Sequence, residues 1–256
     1  MAGSAEADHM RRSRGLVDAL AASVVDALAR DGVSGKDQLQ RSTQSLYCAS
    51  IGDRPFRAQT VYDRLPRARR SDNEFLESIV AAVACMLGED WLNDRLGFFE
   101  VSLASANIFS FLKMYTSDQQ NDAATGSGMG LLLTAVSPES HLIGPTILAQ
   151  KLRRAGHDVT YFPNAEAEEI TSEVRHRSYD GLMISCGSLE GVARTNAAIE
   201  RMFRMGLAGP RVIVGGACLN LPGENVQFPQ ADLVTNSIED ALALLEASKQ
   251  RMHGAA

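Results

Sequence analysis

The 256-residue chain has little cysteine: Cys48, Cys85, Cys186 and Cys218 lie far apart, with no Cys-x-x-Cys pair. That pattern excludes a local zinc motif and a disulfide framework, and it fits a reducing, cytoplasmic compartment. No apolar run approaches the ~18 residues of a membrane-spanning helix, so no membrane contact is expected. Basic residues are outnumbered, 25 Lys and Arg against 31 Asp and Glu, for a net charge of −6. The balance gives no general ground for nucleic-acid binding. The first ten residues lack an apolar h-region and do not read as a signal peptide. With His9-Met10 among them, residues 1–13 read as a disordered tail or a cloning scar. There is one tryptophan, Trp91, and no internal repeat. What is there is ordinary for a globular protein, 45% hydrophobic and 22% charged, long enough for one or two domains.

The first half reads as helices. Leu16, Leu20, Val24 and Leu28 share one face of a helix over Leu16–Arg30, and Asp31-Gly32 stops it. Further helices are expected over Lys36–Ala49 and Phe56–Leu65. Ser71-Asp-Asn-Glu74 has capping-box form and opens a helix with Leu76, Ile79, Val80, Val83 and Leu87 on one face, ending at Gly88. Another runs from about Phe98 to Tyr115, with Val101, Ala104, Ile108 and Leu112 at helical spacing. Short loops between such helices imply an antiparallel bundle over residues 14–117. Six arginines fall between Arg54 and Arg70: Arg54, Arg57, Arg64, Arg67, Arg69 and Arg70. Charge runs are usually solvated surface. The alternative is a contact patch for an acidic protein surface or for DNA phosphates, used indirectly or weakly.

Residues 118–129 are polar and aperiodic, and read as a linker. Beyond it, strands over Gly130–Val136, Asp158–Phe162, Gly181–Ser185, Arg211–Val214 and Ala231–Thr235 alternate with helices over Leu142–Ala155, Glu166–His176, Val192–Met205 and Ile238–Met252. This alternation predicts a Rossmann-like (flavodoxin-like), doubly wound, five-stranded parallel sheet over residues 130–254, so the fold class is α/β with an all-α N-terminal part. The stretch from Gly216 to Pro229 reads mostly as loop.

Ligands of such sheets bind at the carboxyl ends of strands, which draws attention to Ser137-Pro-Glu139-Ser-His141-Leu-Ile-Gly144 after the first strand. A neutral imidazole is a fit ligand for a borderline transition metal, and its other nitrogen needs a carboxylate or hydroxyl to hold the tautomer. Glu139 and Ser185 are the candidates for that support. Gly144, Gly187, Gly215 and Gly216 sit at expected strand ends or at a helix start, where a cofactor would need close backbone approach. Taken singly, each has a plainer reading: a capping histidine, a carboxylate at a helix N-terminus, routine turn glycines. Cys186 and Cys218 read as buried small side chains.

In combination, Glu139-Ser-His141-Leu-Ile-Gly144 resembles the Asp-x-His-x-x-Gly motif of cobalamin-binding domains, with Glu for Asp. That Glu form is similar to the light-responsive branch, the CarH-type photoreceptors and the AerR/PpaA antirepressors. The family's Ser-x-Leu is matched at Ser185, with Gly187 in place of Leu, and its Gly-Gly pair by Gly215-Gly216. The resemblance spans roughly residues 71–250. It implies cobalamin as cofactor, in hydroxo, methyl or adenosyl form, with His141 as the lower axial ligand of cobalt. It also implies a helical cap presenting Trp91 and Phe98, seven residues apart, to the upper corrin face. CarH-type photoreceptors carry Glu-His where this chain has Val101-Ser102, with Glu100 one residue out of step, and there is no second axial histidine. No helix-turn-helix domain of the CarH kind is visible in the first seventy residues, so the layout resembles AerR/PpaA. The resemblance therefore implies a light-responsive, non-enzymatic antirepressor acting on a CrtJ/PpsR-type repressor of photosynthesis genes. The alternatives are a corrinoid methyl carrier of a methyltransferase system, or a binding module that is cofactor-free or takes haem.

Overall fold

The structure, a computed structural model, describes residues 33–52, 54–70, 72–117, 128–206, 209–221 and 224–254. The expected tail 1–13, the helix over Leu16–Arg30, Ser71 and most of the 118–129 linker lie outside the described residues. The chain divides into two compact units, Met1–Asp122 and Ala123–Leu219 with Gly223–Ala256, the short Asn220–Pro222 segment being grouped with the first.

The described part of the N-terminal unit is helical: α1 (Val33–Ile51), α2 (Ala58–Tyr62), α3 (Asn73–Leu92) and α4 (Phe98–Ser117). Helix α1 packs on α3 and α4, which pack on each other. The stripe Leu76, Ile79, Val80, Val83 and Leu87 is buried, and so are Ala104, Ile108 and Leu112 of α4, each large apolar side chain worth about 1.5–3 kcal/mol. Two boundaries differ from expectation. The cap of α3 is Asp72, whose carboxylate accepts the Phe75 N–H at 3.0 Å. Helix α3 also passes through Gly88 and stops only at Asn93-Asp94, where Asp94 takes a φ of 54°. One mid-helix glycine costs about 1 kcal/mol, too little by itself to end a helix. As a result Trp91 and Phe98 lie on different helices, so two turns of one helix do not relate them.

The second unit holds β1 (Gly130–Val136), α5 (Ile143–Arg154), β2 (Asp158–Ala165), α6 (Ala167–His176), β3 (Gly181–Ser185), α7 (Leu189–Arg204), β4 (Arg211–Gly215), β5 (Leu233–Val234) and α8 (Ile238–Gly254). All strand pairs are parallel, in the order β2-β1-β3-β4-β5. Leu131, Leu132 and Leu133 are all buried because strand side chains alternate and both faces are covered. On one face Leu131, Leu133, Met183 and Ile213 pack with Ala149 and Leu152 of α5 and with Ala241 and Leu245 of α8. Strand β5 is two residues long, shorter than the expected Ala231–Thr235, and β2 runs three residues further than expected, to Ala165. The loop after β4 contains a 3-10 turn, Ala217–Asn220.

The order places the topological switch between β1 and β3, whose neighbouring crossovers run in opposite directions. Their carboxyl ends therefore open into one crevice. No helix among the described residues is long and apolar enough to cross a membrane.

Candidate functional site

Strand β1 ends at Val136, and Ser137 to Leu142 turn over its carboxyl end before α5 begins. Two neighbours hold this turn from outside. The Glu139 N–H donates to Oδ1 of Asn164 at 2.6 Å, and Arg194 of α7 donates through Nη2 to the Pro138 carbonyl at 2.8 Å. Asn164, at the end of β2, has a φ of 63°, a left-handed conformation that Asn tolerates better than most residues.

Inside the turn, the Glu139 carboxylate is buried and surrounded by donors. Its Oε1 accepts the backbone N–H of Ser140 (2.8 Å) and of His141 (2.9 Å), and lies 2.6 Å from Nδ1 of the His141 ring. Its Oε2 crosses the switch crevice and accepts the Gly187 N–H at 2.9 Å. Burial alone would raise this carboxyl. The ring hydrogen bond, the His141 N–H, the ring's charge and the Gly187 N–H outweigh it and lower the group from 4.5 to about 2. An ionised carboxylate only accepts, so Nδ1 of His141 carries the proton and donates it. In the neutral tautomer the lone pair is then on Nε2, and that nitrogen has no hydrogen-bond partner among the described residues. The His141 side chain is 37% exposed and the Glu139 side chain 4%, so the support is dry and the ring faces outward.

Gly187 makes this packing possible. A Cβ there would lie 2.5 Å from the Cβ of His141 and 2.6 Å from its Cγ and Nδ1, a distance no side chain adopts. The other glycines divide in two. Gly215 and Gly216 serve the protein's own packing: a Cβ on Gly215 would sit 2.5 Å from the Thr235 carbonyl, and one on Gly216 (φ 115°) would strike the Cys186 backbone. Around Gly144 there is no atom within 4 Å of a notional Cβ, so that edge of the turn is open. Ser185 ends β3, half-buried and in register with Gly215, and its hydroxyl makes no hydrogen bond to His141 among the described residues. The Gly187 N–H has the place on the carboxylate that a supporting hydroxyl would take.

Cys186 and Cys218 are both buried and free, joined by a backbone hydrogen bond from the Cys218 N–H to the Cys186 carbonyl at 3.1 Å. The Cys186 sulfur and burial both push the Cys218 thiol up, so it stays protonated. In the helical unit Trp91 is 38% exposed and Phe98 80%, with Phe99 and Leu103 also exposed.

Sequence reasoning missed Asn164 and Arg194. Pro163-Asn164 after an apolar strand is a turn signal that points to the first. A single arginine on an amphipathic helix carries no signal for the second.

Among the described residues no group of three or more His, Cys, Asp or Glu is arranged to hold a metal ion. A metal at His141 must therefore bring its other ligands with it. Together the fold and the turn define a doubly wound domain presenting one buttressed imidazole at its switch point. The chain shares its fold with a monomethylamine corrinoid protein of Methanosarcina barkeri, with a TM-score of 0.57 and 13% identity over 83% of this chain and 99% of the other. A cobalamin-binding protein from Desulfitobacterium hafniense matches at a TM-score of 0.41 and 15% identity, over 82% of this chain and 97% of that one. In sequence, the chain is 25% identical over 179 residues to an uncharacterized 20.5 kDa protein of the bchF-crtJ intergenic region of Rhodobacter capsulatus, covering 70% of this chain and 93% of that protein. No protein-family model matches the chain.

Proposed function

We propose that this chain binds a cobalamin with His141 as the lower axial ligand, and that it uses the cofactor to regulate transcription. One observation carries the reading: the 2.6 Å contact between Nδ1 of a half-exposed histidine and a buried carboxylate, at the switch point of a corrinoid-protein fold. The carboxylate keeps the Nδ1 proton in place, so the neutral tautomer that can ligate a metal presents its lone pair on Nε2. Gly187 lets the ring lie against the loop after β3, and the open edge at Gly144 leaves room beside the turn. A corrin carries its own ring donors for cobalt, which suits a site offering one imidazole. When bound, it would be held by His141 and would supply a cobalt centre able to exchange a ligand.

The regulatory part of the proposal is an antirepressor that binds a CrtJ/PpsR-type repressor, without catalysis of its own. It is supported by the Glu form of the motif and by the relative from a bchF-crtJ intergenic region. The second reading, a methyl carrier for a partner methyltransferase, is favoured by the likeness to a monomethylamine corrinoid protein.

The test is an absorption spectrum of the purified protein after incubation with hydroxocobalamin, against His141→Ala. The expected result is a shift of the corrin bands that the variant lacks; identical spectra would overturn the axial assignment. Loading from an alkylcobalamin in light but not in darkness, with altered operator binding by a CrtJ-type repressor, is expected of the regulator. Turnover of a methyl donor with a methyltransferase would select the carrier instead.

A further inference from the structure

A polar stripe on α1 faces a depression that the corrinoid reading does not use. Gln38, Arg41, Ser42 and Ser45 stand at i, i+3, i+4 and i+7, and so line one helix face. Opposite them the turn at residues 64–66 brings in Arg64, enclosing about 310 Å³. Two guanidinium groups and two hydroxyls line this space, and no carboxylate among the described residues does. Among the described residues none of the five polar side chains makes a hydrogen bond or an ion pair. The Asp63 carboxylate, next in sequence to Arg64, accepts instead from Gln59 at 3.0 Å.

The surrounding arginines are used differently. Arg69 pairs with Asp72 at 2.7 Å and lies over the Phe75 ring, and Arg70 donates to the Leu65 carbonyl at 3.2 Å and lies over Tyr62. These two complete the approach to α3. Among the described residues Arg41 and Arg64 pair with no acidic group, although the chain is acidic overall. Their planar forks match the oxygens of a phosphate in pairs, and serine hydroxyls and an amide add donors. A volume at the small end of ligand pockets suits a compact molecule.

The geometry points to an anion site in the helical unit, built by Arg41 and Arg64 with Gln38, Ser42 and Ser45, that takes a small phosphorylated metabolite. A concave, isolated depression favours a small molecule over a nucleic-acid backbone, which asks for a stripe of cations along a surface.

The test is calorimetric titration of the full chain with pyrophosphate, repeated with Arg41→Gln, Arg64→Gln and, as a control outside the lining, Arg57→Gln. The expected result is saturable binding, weakened roughly tenfold or more by either lining substitution and unchanged by Arg57→Gln. Binding should also survive in His141→Ala, which separates this site from the corrinoid one. Equal heats from sulfate at matched ionic strength, or equal binding by all variants, would overturn the proposal. So would binding confined to oligonucleotides and weakened equally by Arg57→Gln, which is the mark of a phosphate-backbone surface.

Discussion

At the amino end of the sheet, His157 accepts the Met129 N–H on Nδ1 at 3.2 Å, Asp180 accepts the Gly130 N–H at 2.8 Å, and Asp232 accepts the Val212 N–H at 2.7 Å. These groups satisfy backbone donors where strands begin. At the carboxyl end a histidine and a carboxylate meet directly, and Glu139 takes the backbone donors and the Nδ1 proton together. The two imidazoles are held in opposite tautomers: His157 accepts on Nδ1, whereas His141 donates from it. One end uses its polar groups to complete the fold, and the other uses them to keep one nitrogen open. Histidine at a sheet end is therefore not itself a sign of a site; the direction of its Nδ1 hydrogen bond is.

Substitutions at the two ends should separate these uses. The largest effect is expected from His141→Ala, which should abolish the histidine-dependent corrinoid spectrum while the chain still folds, at a loss of about 1–3 kcal/mol because the buried Glu139 carboxylate loses its ring donor. His157→Ala should keep the spectrum and lose about 1 kcal/mol of stability in urea denaturation. Gly187→Ala should come next, because its Cβ collides with the ring: about 1–3 kcal/mol of overpacking, and a corrinoid affinity lower by roughly tenfold or more. Gly144→Ala, with free space around it, should leave stability within ~0.5 kcal/mol, so a binding loss there would report the cofactor alone.

The pH dependence sharpens the same contrast. A carboxyl lowered from 4.5 to about 2 on folding contributes stability that is fully present above about 4.5 and is lost as pH falls through about 2. The expected contribution is on the order of 3 kcal/mol, measured by urea denaturation across that window. Glu139→Gln should remove this part of the profile and cost stability at neutral pH. A smaller effect than at Glu139 is expected at Asn164. Asn164→Ala loses the acceptor for the Glu139 N–H and keeps a strained φ, about 1–2 kcal/mol in all, whereas Asn164→Gly relieves the strain and isolates the hydrogen bond.

Much of the α/β half was legible because its signals are local. Three apolar leucines in a row bounded by turn residues read as a buried strand, and β1 and β3 fall where the pattern places them. The helical half was legible in its buried stripes and less so at its ends. Asp72 caps α3, and Gly88 is passed over because one glycine's cost of about 1 kcal/mol does not end a helix. Within the site, Glu139 and His141 came from spacing and resemblance. The Gly187 N–H, Asn164 and Arg194 did not, since each meets the turn from a segment more than twenty residues away and only the folded crossovers bring them together.

The bridging of the crevice by one carboxylate has a mechanical consequence. Oε1 is tied to the segment after β1 and Oε2 to the segment after β3, so a pull along Nε2 of His141 is shared at once by both. From Gly187 the chain leads back to Cys186, whose N–H is bonded to the Gly215 carbonyl at 2.8 Å and whose own carbonyl holds Cys218. Tension at a single nitrogen thus reaches three strand ends through rigid, buried linkages, and the arrangement works as a tie-rod across the sheet's open edge.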